Sequence, residues 1–171
     1  MIRSVEQNDV KEMHAFINEI SKEQSYIRLQ GEEISLDEEI RYVDDFVRRV
    51  GEGTAVKLLA FSGKTLVGVA DVYLKDKIER HIGVFGITIK KEWRGRGLGK
   101  ELMKRTLDEA VKHIKGLRII ELGVFANNPV AKKMYEKMGF VEYGRLPQGI
   151  QHRGEFVDHI YMYKLVDALT G

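Results

Sequence analysis

Residues 87–100 read Ile87-Thr88-Ile89-Lys90-Lys91-Glu92-Trp93-Arg94-Gly95-Arg96-Gly97-Leu98-Gly99-Lys100. This order predicts a strand, a glycine-rich turn and then an amphipathic helix that begins near Leu98. The three glycines let the backbone turn tightly and leave its N–H groups uncovered. Because the positive end of the helix lies beside those donors, the turn predicts a seat for phosphate oxygens. Arg94, Arg96 and Lys100 would add charge-assisted contacts.

Two common nucleotide motifs do not fit this turn. A dinucleotide fingerprint has its third glycine one residue further along than Gly99. A P-loop ending at Lys100 would need Ser or Thr where the chain has Glu101, and glycine where it has Arg94. The remaining alternative is a turn that serves geometry alone, which the density of glycines beside two arginines disfavours.

A second informative segment covers residues 127–140. Asn128 followed by Pro129 predicts a helix start, with asparagine as the N-cap and proline at the first helical position. Gly139 predicts a left-handed stop. Taken alone, Asn128 is adequately explained as a cap and Tyr135 as a core aromatic residue, so any functional role needs further support.

The rest of the chain alternates between helical and strand periodicity. A helix opening at Ser35 is predicted to bury the stripe Leu36, Ile40, Val43, Val47 and Val50. Three further helices are predicted. The first carries an apolar repeat from Val10 to Ile20, and the other two span residues 98–114 and 130–138. Predicted strands cover residues 2–5, 55–61, 66–74, 82–89, 118–125, 140–145 and 156–163. The pattern indicates one compact mixed α/β domain over residues 1–171.

The two informative segments resemble a known family. Arg94-x-x-Gly97-x-Gly99 is similar to the R/Q-x-x-G-x-G/A signature of the GCN5-related N-acetyltransferases. The segment from Asn128 resembles that family's N-x-x-A-x-x-x-Y-x-x-x-G-F pattern at Asn128, Ala131, Tyr135, Gly139 and Phe140. The resemblance implies a central mixed, mostly antiparallel sheet of about seven strands, flanked by about four helices and splayed between the fourth and fifth strands.

The resemblance also implies acetyl-coenzyme A as a co-substrate. The turn would bind the cofactor's pyrophosphate, the preceding strand end would pair with its pantetheine arm, and Asn128 would contact the cofactor. Tyr135 would lie near the thioester sulfur and act as general acid for the departing thiolate. The cofactor-binding residues implied in this way are Ile87, Thr88, Ile89, Arg94, Gly95, Arg96, Gly97, Leu98, Gly99, Lys100, Asn128 and Tyr135.

The general base is harder to assign. Many relatives carry a glutamate on the strand before the glycine turn, but residues 82–89 contain no acid. Glu121 on the next strand or Glu33 in the loop between the first helices would then serve, although Glu121 equally fits a solvent-facing strand position. His81, Asp158 and His159 are further options.

The implied function is transfer of an acetyl group from acetyl-coenzyme A to a primary amine by direct attack in a ternary complex. The acceptor would be a small amine, an amino acid or a protein N-terminus, beneath loops predicted at residues 26–33 and 146–154. A competing hypothesis is a non-catalytic acyl-coenzyme A sensor, which the missing strand glutamate would permit.

Composition narrows the function classes. The 171 residues carry a net charge of +2 and no cysteine, which excludes disulfides, thiolate metal sites and a cysteine nucleophile. The sequence lacks the roughly 20-residue apolar run of a membrane span and begins without a secretory h-region, so a cytoplasmic protein is expected. The five histidines show no ligand spacing, which predicts no metal.

Trp93 is the only aromatic residue among the basic residues of the turn, which argues against nucleic-acid binding. A homodimer is left open.

Overall fold

A computed structural model describes residues 1–166 of the chain, so the last five residues of the predicted domain lie outside the described residues. Within residues 1–166 there are four α-helices: α1 Val10–Lys22, α2 Leu36–Gly51, α3 Leu98–His113 and α4 Pro129–Lys137. The strands are β1 Ile2–Ser4, β2 Ala55–Ser62, β3 Thr65–Leu74, β4 Ile82–Ile89, β5 Ile119–Phe125, β6 Val141–His152 and β7 Glu155–Leu165. Short 3₁₀ turns occur at Gln7–Asp9, Lys77–Glu79 and Lys91–Trp93.

The strands form one mixed sheet in the order β1-β2-β3-β4-β5-β7-β6. β4 and β5 run parallel, paired at Ile82–Val84 with Ile119–Glu121, whereas β1–β2, β2–β3, β5–β7 and β6–β7 are antiparallel. The predicted mixed, mostly antiparallel sheet flanked by four helices is therefore confirmed. The splay beyond the paired residues of β4 and β5 stays a prediction.

The chain falls into two compact units. The first unit contains Met1–Tyr73 and Gly86–Lys115, and the second contains Leu74–Phe85 and the chain from Gly116 onward. The division lies inside β4, whose first four residues belong to the second unit and whose last four belong to the first. The single domain inferred from the sequence stays a prediction.

In the first unit, α2 begins with a complete capping box. The Ser35 hydroxyl accepts the Glu38 N–H at 3.3 Å, and the Glu38 carboxylate accepts the Ser35 N–H at 2.9 Å. These bonds satisfy backbone donors that a helix start would otherwise leave unpaired. The core that α1 and α2 share with the strands consists of Val5, Met13, Phe16, Ile20, Val43, Leu59, Phe61, Leu66 and Val69.

The predicted apolar stripe of α2 is wrong in its first half. Leu36 and Ile40 are 45% and 37% exposed, whereas Glu39, Val43 and Phe46 are the buried residues of this helix. Positions 39, 43 and 46 are four and three residues apart and so lie on one helical face. The helix is therefore turned so that a glutamate, and not the two leading aliphatic residues, lies on the buried side.

α3 packs closely on the strands of the first unit. Leu102 and Met103 are fully buried, and the Thr106 hydroxyl donates to the Leu102 carbonyl at 2.8 Å. A Cβ added at Gly68 on β3 would lie 2.6 Å from Cδ1 of Ile89 and 3.3 Å from Cδ2 of Leu102. Glycine at position 68 thus permits the helix that follows the turn to lie directly against the sheet.

In the second unit, α4 starts and stops as the sequence predicts. The Asn128 side-chain oxygen accepts the Ala131 N–H at 3.2 Å, and Pro129 is the first helical residue. Gly139 has a φ of +89°, the left-handed conformation that ends the helix. The rings of Phe85, Tyr135 and Phe140 pack together with centroids 6.2–6.4 Å apart.

The loop predicted at residues 146–154 is wrong. β6 continues to His152, and the chain reverses at Arg153 and Gly154, which have φ values of +54° and +81°. The register with β7 shifts between Leu146 and Ile150, so the turn-forming residues in between are absorbed as a bulge within a long hairpin. The Gln148 N–H in this bulge donates to Asp158 at 3.1 Å.

Candidate active site

The glycine-rich turn lies open at the start of α3. Gly95 and Gly97 have φ values of +73° and +82°, so both need the left-handed conformation that glycine adopts without strain. Both are exposed, and no atom within 4 Å would meet a Cβ at either position. Gly97 caps α3 without a side-chain hydrogen bond, and the first N–H groups of a helix have no partner within it. The turn thus presents uncovered backbone donors.

Arg94 is held at this turn by two contacts. Its Nε donates to the Ile89 carbonyl at 2.8 Å, and its guanidinium pairs with the Glu23 carboxylate at 2.5 Å. Glu23 also accepts the Lys91 N–H at 3.3 Å. A carboxylate at the C-terminal end of α1 therefore already contacts the cation and a backbone donor at the start of the turn. Arg96 stacks over the Trp93 ring with 5.5 Å between guanidinium and centroid.

A cavity of about 650 Å³ lies within the first unit. Two residues of the predicted cofactor strand, Ile87 and Thr88, line it, together with residues of the loop between α1 and α2. Most of its walls are apolar, and its polar side chains come from α2, β2, β3, β4 and the loop between α1 and α2. The lining residues are Met13, Phe16, Ile17, Ile27, Arg28, Leu29, Ile34, Glu38, Glu39, Tyr42, Lys57, Val69, Asp71, Gly86, Ile87 and Thr88.

The cavity contains a buried ammonium group that the sequence analysis missed. The Lys57 side chain is 1% exposed, and its Nζ donates to Asp71 at 2.8 Å and to the Tyr42 hydroxyl at 2.9 Å. Nζ also lies 4.0 Å from the centroid of the Phe46 ring. Burial alone would lower the pKa of Lys57, but the Asp71 carboxylate outweighs it and the pKa is raised. Lys57 is therefore a permanent cation.

Glu39 is the second polar group that the sequence analysis missed. It is 4% exposed and lines the same cavity. Burial raises the pKa of Glu39, against the opposing attraction of Lys57 and His14. The signal that locates it is its spacing from Val43 and Phe46, which places it on the buried face of α2.

Tyr135 lies in the aromatic core of the second unit. It is 8% exposed, and burial raises its pKa to about 12, so the phenol stays protonated at physiological pH. Among residues 1–166, every buried side-chain N or O atom has a hydrogen-bond partner, and no residue there bonds the Tyr135 hydroxyl. The hydroxyl therefore reaches accessible surface while the ring is packed.

The predicted bases have other partners or lie elsewhere. Glu121, in the second unit, pairs with Lys75 at 2.5 Å and accepts the Tyr143 hydroxyl at 3.4 Å. Glu33 is exposed in the loop before α2 and is absent from the cavity lining. Asp158 pairs with Arg145 at 3.3 Å. The assignment of either glutamate as base stays a prediction.

Metal-binding groups and membrane-spanning helices were sought among residues 1–166. No group of three or more His, Asp or Glu side chains within residues 1–166 is arranged to hold a metal ion. None of the helices in that range has the length and apolarity required to span a bilayer.

The sequence profile of the Acetyltransferase (GNAT) family matches residues 13–140, which include most of α1, the cavity, the turn and α4. The chain belongs to the GNAT family. This assignment confirms the resemblance inferred from the two motifs.

Individual GNAT relatives cover most of the chain. The L-amino acid N-acetyltransferase of Escherichia coli K12 is 30% identical over 119 residues, 68% of this chain and 73% of the relative. The spermidine N(1)-acetyltransferase of Vibrio cholerae is 35% identical over 102 residues, 60% of this chain and 58% of the relative. A solved GNAT acetyltransferase from Streptococcus pneumoniae superposes with a TM-score of 0.88 at 29% identity, covering 97% of this chain and 99% of that one.

A ligand-bound structure is also similar. Spermidine N-acetyltransferase from Vibrio cholerae, solved in complex with coenzyme A and spermine, superposes with a TM-score of 0.73 at 27% identity. The match covers 96% of this chain and 94% of the other. GNAT structures of this fold therefore include one with both coenzyme A and an amine bound.

Proposed function

We propose that the protein transfers an acetyl group from acetyl-coenzyme A to a primary amine by direct attack in a ternary complex. The observation that carries this proposal is the uncovered turn at Gly95 and Gly97, which begins α3 and matches the family's pyrophosphate motif. Backbone N–H groups and the positive helix end suit a diphosphate. Arg94, Arg96 and Lys100 add positive charge at the same turn.

The cavity of the first unit supports an acceptor site beside the cofactor strand. Ile87 and Thr88 line this cavity, and their backbone is proposed to pair with the pantetheine arm. Its apolar walls would receive the body of the acceptor, and its carboxylates would attract the ammonium group. The amine acceptors named for the relatives, amino acids and spermidine, are of this chemical class.

The chemistry requires two proton movements. An alkylamine with a pKa near 10.4 is almost fully protonated at pH 7, which corresponds to about 4–5 kcal/mol that a base must help to overcome. The free amine attacks the thioester carbonyl carbon, and the C–S bond breaks as the C–N bond is completed. The departing thiolate takes a proton from Tyr135, and the acylated nitrogen returns one to the phenolate. This role of Tyr135 rests on the family pattern and on its protonated, accessible hydroxyl.

Coenzyme A binding and thiol release test the proposal together. Titration calorimetry with coenzyme A should show stoichiometric binding to the purified chain. Thiol release from acetyl-coenzyme A should then depend on one class within a panel of amino acids, polyamines and peptide N-termini. Binding without turnover of any amine would favour the sensor hypothesis, and no binding at all would remove the proposed function.

Tyr135→Phe separates catalysis from binding. We expect kcat to fall by about 10²- to 10⁴-fold, since the variant lacks the proton for the thiolate. Coenzyme A affinity should be unchanged, because the ring still packs against Phe85 and Phe140. Tyr143→Phe in the same unit, whose hydroxyl donates to Glu121, is the matched control and should retain its rate. An unchanged kcat for Tyr135→Phe would dismiss the acid role.

A further inference from the structure

The acceptor cavity is lined by three carboxylates, and two of them are already committed. Asp71 accepts from the Lys57 ammonium at 2.8 Å. Glu38 accepts from the backbone N–H and the hydroxyl of Ser35 at 2.9 and 2.6 Å and so caps α2. Neither is free to take a proton without losing a structural contact.

Glu39 differs from both. No hydrogen bond among residues 1–166 reaches its carboxylate, although the residue is 4% exposed. Every buried side-chain N or O atom in that range has a partner, so the Glu39 oxygens must retain accessible surface. Glu39 also lines the cavity, where an acceptor could reach this accessible surface. A buried carboxylate without a partner is costly for folding, and an incoming ammonium group would supply the missing partner.

Charged groups surround Glu39 on each element packed against it. Lys57 from β2 and His14 from α1 are the basic side chains that oppose the rise in its pKa, and the His14 ring is hydrogen-bonded to the Ile34 carbonyl at 2.8 Å. Arg28, Glu38, Tyr42 and Asp71 line the same cavity. The Lys57 cation favours the ionised form of Glu39, while burial makes the carboxylate a better proton acceptor than an exposed glutamate.

We propose that Glu39 is the general base that removes the proton from the acceptor amine, a proposal that rests on the acetyltransferase function above. One N–H bond of the ammonium breaks and an O–H bond forms on Glu39. The freed lone pair attacks the thioester carbon. Glu39 then releases its proton to solvent, so that one amine proton enters solvent and a second ends on the coenzyme A sulfur.

Glu39→Gln and Asp37→Asn form a matched pair of variants. Asp37 lies two residues earlier on α2, is exposed and does not line the cavity, so this control removes a carboxylate from the same helix without changing the acceptor site. With acetyl-coenzyme A and the amine that the unmodified protein uses best, kcat/KM at pH 7 should fall by at least about 100-fold in Glu39→Gln. It should change by less than about threefold in Asp37→Asn.

The pH profile distinguishes a base from a structural residue. The unmodified protein should lose kcat/KM on the acid side with a midpoint above the ordinary pKa of glutamate, because burial raises the pKa of Glu39. In Glu39→Gln this midpoint should disappear. The kcat/KM of the variant should instead rise with pH up to the pKa of the amine, because at higher pH the amine loses its proton in solution and needs no base. A deficit that is the same at every pH would overturn the proposal.

Stability provides the folding control. A carboxyl whose folded pKa is raised contributes stability below its unfolded pKa and loses it as pH rises through the folded pKa. Glu39→Gln should therefore melt at the same or a higher temperature than the unmodified protein at pH 8. If the unmodified protein turns over an amine and Glu39→Gln does so equally well, the base assignment fails and the acetyltransferase function stands. If neither binds coenzyme A nor turns over any amine, both fail.

Discussion

The turn at residues 94–100 and the cavity of the first unit differ in the solvent exposure of their charged groups. The turn presents exposed backbone donors and long cationic side chains, of which Arg94 pairs with Glu23. The cavity holds a fully buried ammonium, its paired Asp71, and Glu39, whose carboxylate has no hydrogen-bond partner among residues 1–166. Water and salt screen the first arrangement, while the second relies on a few strong contacts in a low dielectric. Single changes should therefore matter much more in the cavity.

The largest effect on stability is expected for Lys57→Met. The substitution preserves volume but leaves the Asp71 carboxylate, whose side chain is only 14% exposed, without its cation. The free energy of unfolding should fall by about 3–5 kcal/mol. Urea unfolding followed by circular dichroism measures this change.

A double variant shows whether the effect belongs to the ion pair. Lys57→Met combined with Asp71→Leu removes both charges, and such replacements of buried pairs are often neutral. Most of the lost stability should therefore return. If the double variant is less stable than Lys57→Met alone, the ion pair is not the source of the loss.

An intermediate effect is expected for Gly97→Ala at the turn. A residue with a side chain at φ +82° is strained, which should lower the unfolding free energy by about 1–2 kcal/mol. Relaxation of that strain would reorient the N–H groups, and coenzyme A affinity should fall about tenfold in calorimetry.

Gly63→Ala is the matched control for that variant. Gly63 lies in the turn between β2 and β3 with a φ of +58° and open space at its Cβ position, as at Gly97. Stability should fall similarly, but coenzyme A affinity should not change. Equal losses of affinity in both variants would argue against a specific role for the 94–100 turn.

The smallest effect is expected for Glu23→Gln. The Glu23 carboxylate contacts the Arg94 guanidinium and the Lys91 N–H, which a bound diphosphate would also attract. Removing its charge should strengthen coenzyme A binding by up to about fivefold, with less than about 1 kcal/mol change in stability. Glu19→Gln, which removes the α1 partner of Lys90, is the control. Weaker binding in Glu23→Gln would mean that this carboxylate supports the turn instead of competing at it.

The sequence predicts the turn and α4 well because their contacts are local. Arg94 bonds the Ile89 carbonyl five residues away, and Asn128 bonds the Ala131 N–H three residues away. The cavity was missed because Lys57 and Asp71 are 14 positions apart and meet only in the folded sheet. β2 is buried along seven of its eight residues. Its burial pattern therefore does not alternate, and the sequence of the strand does not reveal that Lys57 is buried.

The errors have the same origin. Leu36 and Ile40 fit a helical stripe by spacing, but the tertiary packing of α2 favours the face that carries Glu39. Residues 147–149 resemble a turn, yet pairing with β7 continues past them through a bulge. In both places a long-range contact outweighed the local preference.

The buried position of Glu39 has a consequence for laboratory evolution. A library selected for heat resistance alone would favour neutral residues at position 39, because they relieve the desolvation of a buried carboxylate. The same clones would be discarded by a screen for product formation. Enrichment of one library under each selection in parallel would therefore show whether the residue that favours thermal stability at position 39 differs from the one that favours catalysis.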